Sequence, residues 1–436
     1  MYCPVRRKSR SWLDRGRYPP PVLLTARVAD TIVPNRLGRS FRWLLASALV
    51  TNVGDGIALA AGPLLVASQT RDPFIVSTAV LSQQLPNLLF GIPAGVVADR
   101  VDRRRIIVSV NLARAAVLAV LAATIAGGAV NIVVVLGALF VLGTAEIFSD
   151  VAGESLPPQI VERQDLGIAN ARLTTAFLLT NQLVAPPIGA FLFALGMALP
   201  FAVNAACFTL GAILVTQVVT DVARAASERP RETRDLRAEM IEGVRWLMAN
   251  PPMRTLALTI VAFNVTYGAA FGVLVLYASD VLGMSAVGFG LLTTAVAIGG
   301  IIGTAAYGRL ERRFSLANIM RGGLLIETFT HLTLALTTSP AVALAAMGIF
   351  GAHEFVWGTT STVVRQRAVP DALLGRVTGV YTVGLIGGLV VGTPIGGLLA
   401  RQFGITAPFW FGFIGSALLV VILWRRFDKI AHEGAV

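Results

Sequence analysis

The chain is poor in charge, nearly free of cysteine and nearly free of lysine. Charged residues make up 14% of its 436 positions and hydrophobic ones 55%, a balance that a water-soluble globule of this length does not carry on its surface. A lipid bilayer is therefore its expected solvent. Of the two cysteines, Cys3 lies in a basic N-terminal stretch and Cys207 in an apolar one, which excludes a disulfide framework and a thiolate metal site. No G-x-x-x-x-G-K-[ST] stretch occurs, which excludes ATP bound by this chain as an energy source. No enzyme chemistry, metal or other cofactor is implied. Two lysines against 34 arginines, with abundant alanine and glycine, suggest a GC-rich bacterial genome and so the bacterial plasma membrane.

What is present is a series of long apolar runs. Twelve segments, near 41–68, 74–98, 106–127, 130–150, 172–196, 198–220, 255–281, 286–308, 316–337, 340–363, 376–400 and 405–424, are each long enough to cross a hydrocarbon core of roughly 30 Å as a helix. The short loops on one side hold only Arg71 and Arg401, and nearly all other basic residues fall in the tails and the alternate loops. By the positive-inside rule both termini are cytoplasmic. The net charge of +12 is thus spread between spans rather than gathered on one surface, which argues against nucleic acid as a partner. Residues 1–39, with nine Lys or Arg and Pro19-Pro20-Pro21, read as a disordered cytoplasmic tail, and 427–436 as a second tail.

The densest motif is the run Gly95 to Arg105, between segments 2 and 3. A shift of 209 lays Arg100-Val101-Asp102-Arg103-Arg104 on Arg309-Leu310-Glu311-Arg312-Arg313. A shift of 207 lays Pro187-Ile188-Gly189-Ala190 on Pro394-Ile395-Gly396-Gly397 and Arg114 on Arg321, and one of 208 lays Glu146 on Glu354. Four anchors within two residues of one offset predict an internal duplication. Each half, 40–220 and 254–426, then holds six helices in the same orientation, joined by a linker at 221–253.

These residues resemble the major facilitator superfamily of transporters over roughly residues 40–426. Its loop motif, G-x-x-x-D-R-x-G-R-R, is matched by Gly95, Asp99, Arg100, Arg103 and Arg104, with Asp102 where the second glycine is usual. That departure puts the local turn in doubt, since Asp enters positive φ less readily than Gly. An exporter motif on segment 5 is degenerate, with Ala185, Pro186, Gly189 and Ala190, while segment 11 carries Gly388, Gly392, Pro394, Gly396 and Gly397. Gly54-Asp55-Gly56 and Glu242-Gly243-Val244-Arg245-Trp246-Leu247 are similar to the branch containing the enterobactin exporter and macrolide efflux proteins. The resemblance implies an all-α membrane protein of two six-helix bundles related by a parallel repeat, working by alternating access. It also implies that helices 3, 6, 9 and 12 lie outside the central cavity and helix 10 beside it. In the linker, Leu236, Met240, Val244 and Leu247 at helical spacing predict an amphipathic helix on the inner membrane surface.

Ionisable groups inside the segments are the candidates for chemistry, because each costs at least about 2.5 kcal/mol at the bilayer centre. Asp55 lies about 21 Å along segment 1, with no basic residue near it by sequence; it is read either as a proton-carrying or substrate-sensing carboxylate or as a helix contact. Glu146 and Glu354 are expected to pair with Arg114 and Arg321, either tying helices together or, with the Asp99 loop, forming a latch that breaks as the halves rock, so that protonation of a glutamate biases which side is open. Glu327 and His331, four residues apart, share a helix face and look like a proton relay. His353 beside Glu354, with Trp357 one turn on, and Asn264 and Tyr267 are candidate substrate contacts. Pro187, Gly189, Pro394 and Gly396 are candidate sites of helix bending. The expectation is a proton-coupled exporter of small organic molecules, drug-like or siderophore-like, active as a monomer. An importer or facilitator of the same fold, or a non-transporting accessory protein for secretion, are the alternatives.

Overall fold

The computed structural model describes residues 34–220 and 236–427. Most of the expected N-terminal tail, with Cys3, the polar start of the linker and the residues from 428 onward lie outside them. Among the described residues every regular element is helical. The main helices are α1 (Gly38–Gln69), α2 (Pro73–Arg100), α3 (Arg103–Ala126), α4 (Ile132–Glu154), α5 (Leu166–Phe177, Leu178–Val184 and Ala185–Leu195) and α6 (Leu199–Val215). They continue as α7 (Pro251–Phe271 and Leu274–Asp280), α8 (Ala286–Arg313), α9 (Leu316–Leu336), α10 (Pro340–Ala368), α11 (Asp371–Phe403) and α12 (Ala407–Leu423).

Local sequence explains where they begin. Asp72, Asp102, Asn131, Asn250, Ser285 and Ser315 each accept a hydrogen bond from a backbone N–H of the first turn they precede, which satisfies donors that a helix cannot bond internally. Pro73, Pro251, Pro340 and Pro408 stand at first-turn positions, where a missing N–H costs nothing. Among the described residues eight helices are long and apolar enough to cross a membrane, and α7, bent by 43° at its break, makes nine. Of the other three, α6 and α12 are apolar but 17 residues long, and α9 contains Arg321, Glu327 and His331. Large apolar side chains remain exposed on helices of both halves, among them Val120 on α3, Val133 on α4, Ile302 on α8, Phe329 on α9 and Val421 on α12.

The two halves meet along α2 with α11 and along α5 with α8. At the end with the arginine-poor loops a single apolar core joins them, running from Ala60 and Val76 to Tyr277, Phe289 and Phe409. Toward the arginine-rich end the core divides, with separate clusters around Trp357 and Phe427 in one half and around Ile106 and Phe41 in the other. The molecule is thus fastened at one end and parted at the other. The linker helix, Leu236–Ala249, docks on α11. Gly243 sits against the Arg376 backbone, Leu247 is buried, and Arg376 reaches Glu239 at 3.6 Å and Glu242 at 2.5 Å. The expected single apolar stripe is therefore split: Leu247 is buried in the core of the C-terminal half, whereas Val244 turns outward with Ile241 and Met248.

Candidate functional site

Asp55 has the basic partner that linear neighbourhood does not reveal. Arg114 of α3 is buried and forms an ion pair with Asp55, lies 3.7 Å from Glu146 of α4, and covers the face of Phe208 of α6 with its guanidinium carbon 3.8 Å from the ring centre. Four helices therefore converge on one cation. Asp55 is nearly closed off, whereas the Glu146 side chain is 42% exposed, so one carboxylate holds the arginine from within the bundle and the other from open space. The pairing of Arg114 with Glu146 is as expected; its sharing with Asp55 is not.

The glycines flanking Asp55 explain how the helices come this close. A side chain at Gly54 would strike Asn204 of α6, and one at Gly56 would lie 2.6 Å from the Ala185 Cβ of α5. Opposite Gly56, α5 widens into a π-helical stretch over Leu178–Val184, a register change frequent at functional sites. No sequence signal marks that stretch, although Pro186 and Pro187 follow it after Ala185. Gly189 packs on the backbone of Ile57. On α11, Gly388, Gly392 and Gly396, four residues apart, seat the backbone of α7. Pro394 does not interrupt α11, which runs as one helix, while the sharp bend occurs in α7 between Phe271 and Leu274, outside the positions expected to bend.

The second expected pair, Arg321 with Glu354, is not formed. Helix α9 begins 213 positions after α3 rather than 207, so Arg321 lies about 9 Å nearer its helix end than Arg114 does. There it donates to the Trp424 carbonyl at 2.7 Å and to Asn318 at 3.1 Å. Glu354 is partly exposed on α10. Deeper in this half, Glu327 has no exposed surface, and it lies between His331, at 3.0 Å, and His353 of α10, at 3.5 Å. His353, expected beside Glu354, thus belongs with Glu327. Trp357 and Asn264 are buried: Trp357 packs on Phe263, His353 and Phe427, and Asn264 donates to the Ile260 carbonyl at 2.8 Å. Tyr267, stacked on Phe350 at 5.5 Å, remains partly exposed.

The motif after α2 is open. Asp99 and Arg100 are exposed, and Arg103 stands 4.0 Å from Asp99 while donating to the Ser155 carbonyl at 3.0 Å. Arg104 donates to the Thr216 carbonyl. Gly95 has open space where a side chain would project. The doubt about Asp102 is resolved: its φ is −56°, no positive φ is needed, and its carboxylate caps α3 by accepting from the Arg105 N–H. At the opposite end, the two arginines of the arginine-poor loops both bridge the halves, Arg71 to Asp280 at 3.1 Å and Arg401 to Asp72 at 3.5 Å. Their scarcity in those loops was the available signal.

Comparison with known proteins places this geometry in context. The profile of the major facilitator family described as transmembrane secretion effector matches residues 31–432. The multidrug efflux pump Tap of Mycolicibacterium fortuitum is 28% identical over 389 residues, covering 84% of this chain and 90% of that one. The enterobactin exporter EntS of Shigella boydii serotype 4 (strain Sb227) is 26% identical over 413 residues, covering 89% and 94%. Among solved structures, a bacterial homologue of the iron transporter ferroportin in its inward-facing state superposes with a TM-score of 0.72 at 18% identity, covering 90% of this chain and 98% of that one.

Proposed function

The chain belongs to the transmembrane secretion effector family of major facilitators, and from that premise we propose that it is a proton-coupled exporter of small organic molecules in the bacterial plasma membrane, with both termini cytoplasmic. The observation that carries the coupling is the arrangement of Asp55, Arg114 and Glu146: two carboxylates, one enclosed and one exposed, share one buried guanidinium. An arginine keeps its charge at any physiological pH, so a proton arriving at one carboxylate releases Arg114 to the other rather than neutralising it. That exchange moves an ion pair between α1 and α4 and biases which arrangement of the halves is favoured. Export, rather than uptake, is supported by the relatives, one a multidrug efflux pump and the other an enterobactin exporter.

In this scheme the halves rock about a central site. The Arg71–Asp280 and Arg401–Asp72 pairs close the outer end, and the Asp99 loop is the disengaged latch of the inner end, which re-forms when that end closes. Glu354 and Tyr267 face the substrate path from the other half. A panel of fluorescent organic cations and catecholates, followed in inside-out vesicles with an acid interior, tests the reading. Accumulation should collapse on addition of a proton uncoupler and be lost in Asp55→Asn, with Glu354→Gln reducing it for some substrates. Accumulation that ignores the uncoupler, or survives unchanged in Asp55→Asn, refutes the coupling.

A further inference from the structure

Glu327 presents a problem of electrostatics that the Asp55 site does not solve for it. Its carboxylate has no exposed surface, and among the described residues its ion-pair partners are two imidazoles, the His331 Nε2 3.0 Å from Oε1 and the His353 Nε2 3.5 Å from Oε2. The other elements around it bring little charge. From α10 comes Glu354 and from α7 Tyr267, both within electrostatic reach of it. From α12 comes Gly412, packed on the His331 ring, and Ala407–Leu423 contains no titratable residue. Arg321, on α9 itself, is turned to the helix end. An ionised carboxylate buried in an apolar interior without a counter-charge is prohibitively costly.

Counting protons then limits the states. With no proton bound beyond the neutral imidazoles, the group of three carries one negative charge; with one it is neutral; with two it is positive. The neutral state best suits a site whose three side chains are each 4% exposed or less. Several polar atoms are also without a hydrogen-bond partner: Glu327 Oε2, both nitrogens of His353, the His331 Nδ1 and the Trp357 Nε1. Such atoms are rare in a folded interior.

We propose that Glu327, His331 and His353 form a single buried proton-binding site, holding one proton among a carboxylate and two imidazoles and distinct from the Asp55 site of the other half. A proton between Glu327 Oε2 and His353 Nε2 closes the 3.5 Å contact into a charge-assisted hydrogen bond that ties α9 to α10. A proton between Glu327 Oε1 and His331 Nε2 stays within α9 and leaves the two helices only the weaker bond that a neutral His353 N–H donates. Proton position thus sets the coupling between an outer helix and one beside the substrate path. The inference stands on these three side chains and holds whether or not Asp55 carries a transported proton.

Trp357 is a built-in reporter, because its ring centre is 6.2 Å from that of His353 and an imidazolium quenches indole emission more than a neutral imidazole does. The full chain, purified in detergent with a chelator present, is titrated with acid while tryptophan emission is recorded, and the Trp357 signal is taken as the difference from Trp357→Phe. The expected result is one quenching step, abolished in His353→Asn and displaced about tenfold or more in proton concentration in both Glu327→Gln and His331→Gln. Using both variants covers the case in which one fails to fold. Asp55→Asn should leave the step in place, so a failure of transport coupling and a failure of this site are told apart. A flat Trp357 signal, a step unmoved by Glu327→Gln and His331→Gln, or one that disappears in Asp55→Asn overturns the proposal.

Discussion

The two halves answer the same problem, a carboxylate buried in the membrane, with different cations. In the N-terminal half Asp55 is met by Arg114, whose guanidinium also reaches Glu146 and rests on Phe208. In the C-terminal half Glu327 is met by His331 and His353. The difference is chemical as well as positional. A guanidinium is always charged, so in the first site protons compete for carboxylates around a fixed cation. An imidazole is charged only when it holds a proton, so in the second the counter-charge is itself the proton. Two halves alike in helix order thus differ in the chemistry that meets a buried carboxylate.

The sharpest way to break the comparison is to remove the fixed cation. Arg114→Met strands Asp55 in the interior and should destabilise the protein by about 3–5 kcal/mol, read as a fall in thermal unfolding temperature in detergent. Adding Asp55→Asn to Arg114→Met should recover much of that loss, and a double variant no more stable than the single one contradicts the pairing. In the other half, Glu327→Ala removes the carboxylate and leaves two neutral imidazoles without their acceptor, an effect of about 1–3 kcal/mol that should fall clearly below that of Arg114→Met. Equal losses at the two sites would mean that Glu327 is held as an ion as firmly as Asp55 is. The smallest effect is expected where the halves touch. Arg71 is 69% exposed, and each of the pairs it and Arg401 make is worth about 0.2–1 kcal/mol. Arg71→Ala with Arg401→Ala should leave unfolding nearly unchanged yet raise labelling of a cysteine introduced at Ser77, which packs on Gly397 across the halves. Unchanged labelling argues that the apolar core alone keeps that end shut.

Much of this architecture is legible in the amino-acid sequence. The apolar segments, the arginine asymmetry of the loops and the offset of about 208 between Glu146 and Glu354 suffice for the helices and their duplicated order, because hydrophobic length and loop charge act locally. The same offset misleads at Arg321. Duplication preserves position along the chain, but depth depends on where a helix starts, and the later start of α9 takes Arg321 out of reach of Glu354. Glu327 and His331 are visible as a pair because four residues bring side chains onto one helix face. His353 is not visible as their partner, since 26 residues and a turn separate it from Glu327 and only the packing of α9 on α10 joins them. Gly54-Asp55-Gly56 stands out as a motif, yet its reason, that α5 and α6 press on either side of the aspartate, exists only in the folded bundle.

The sequence by itself determined that this protein lives in a membrane, how its helices are ordered and which charges fall within apolar segments, because each of those follows from transfer energies and order along the chain. Which buried charge meets which was decided by tertiary structure alone. Helix packing sets distances between residues far apart in sequence, and at the low dielectric of the interior a few ångströms separate an ion pair from a stranded charge.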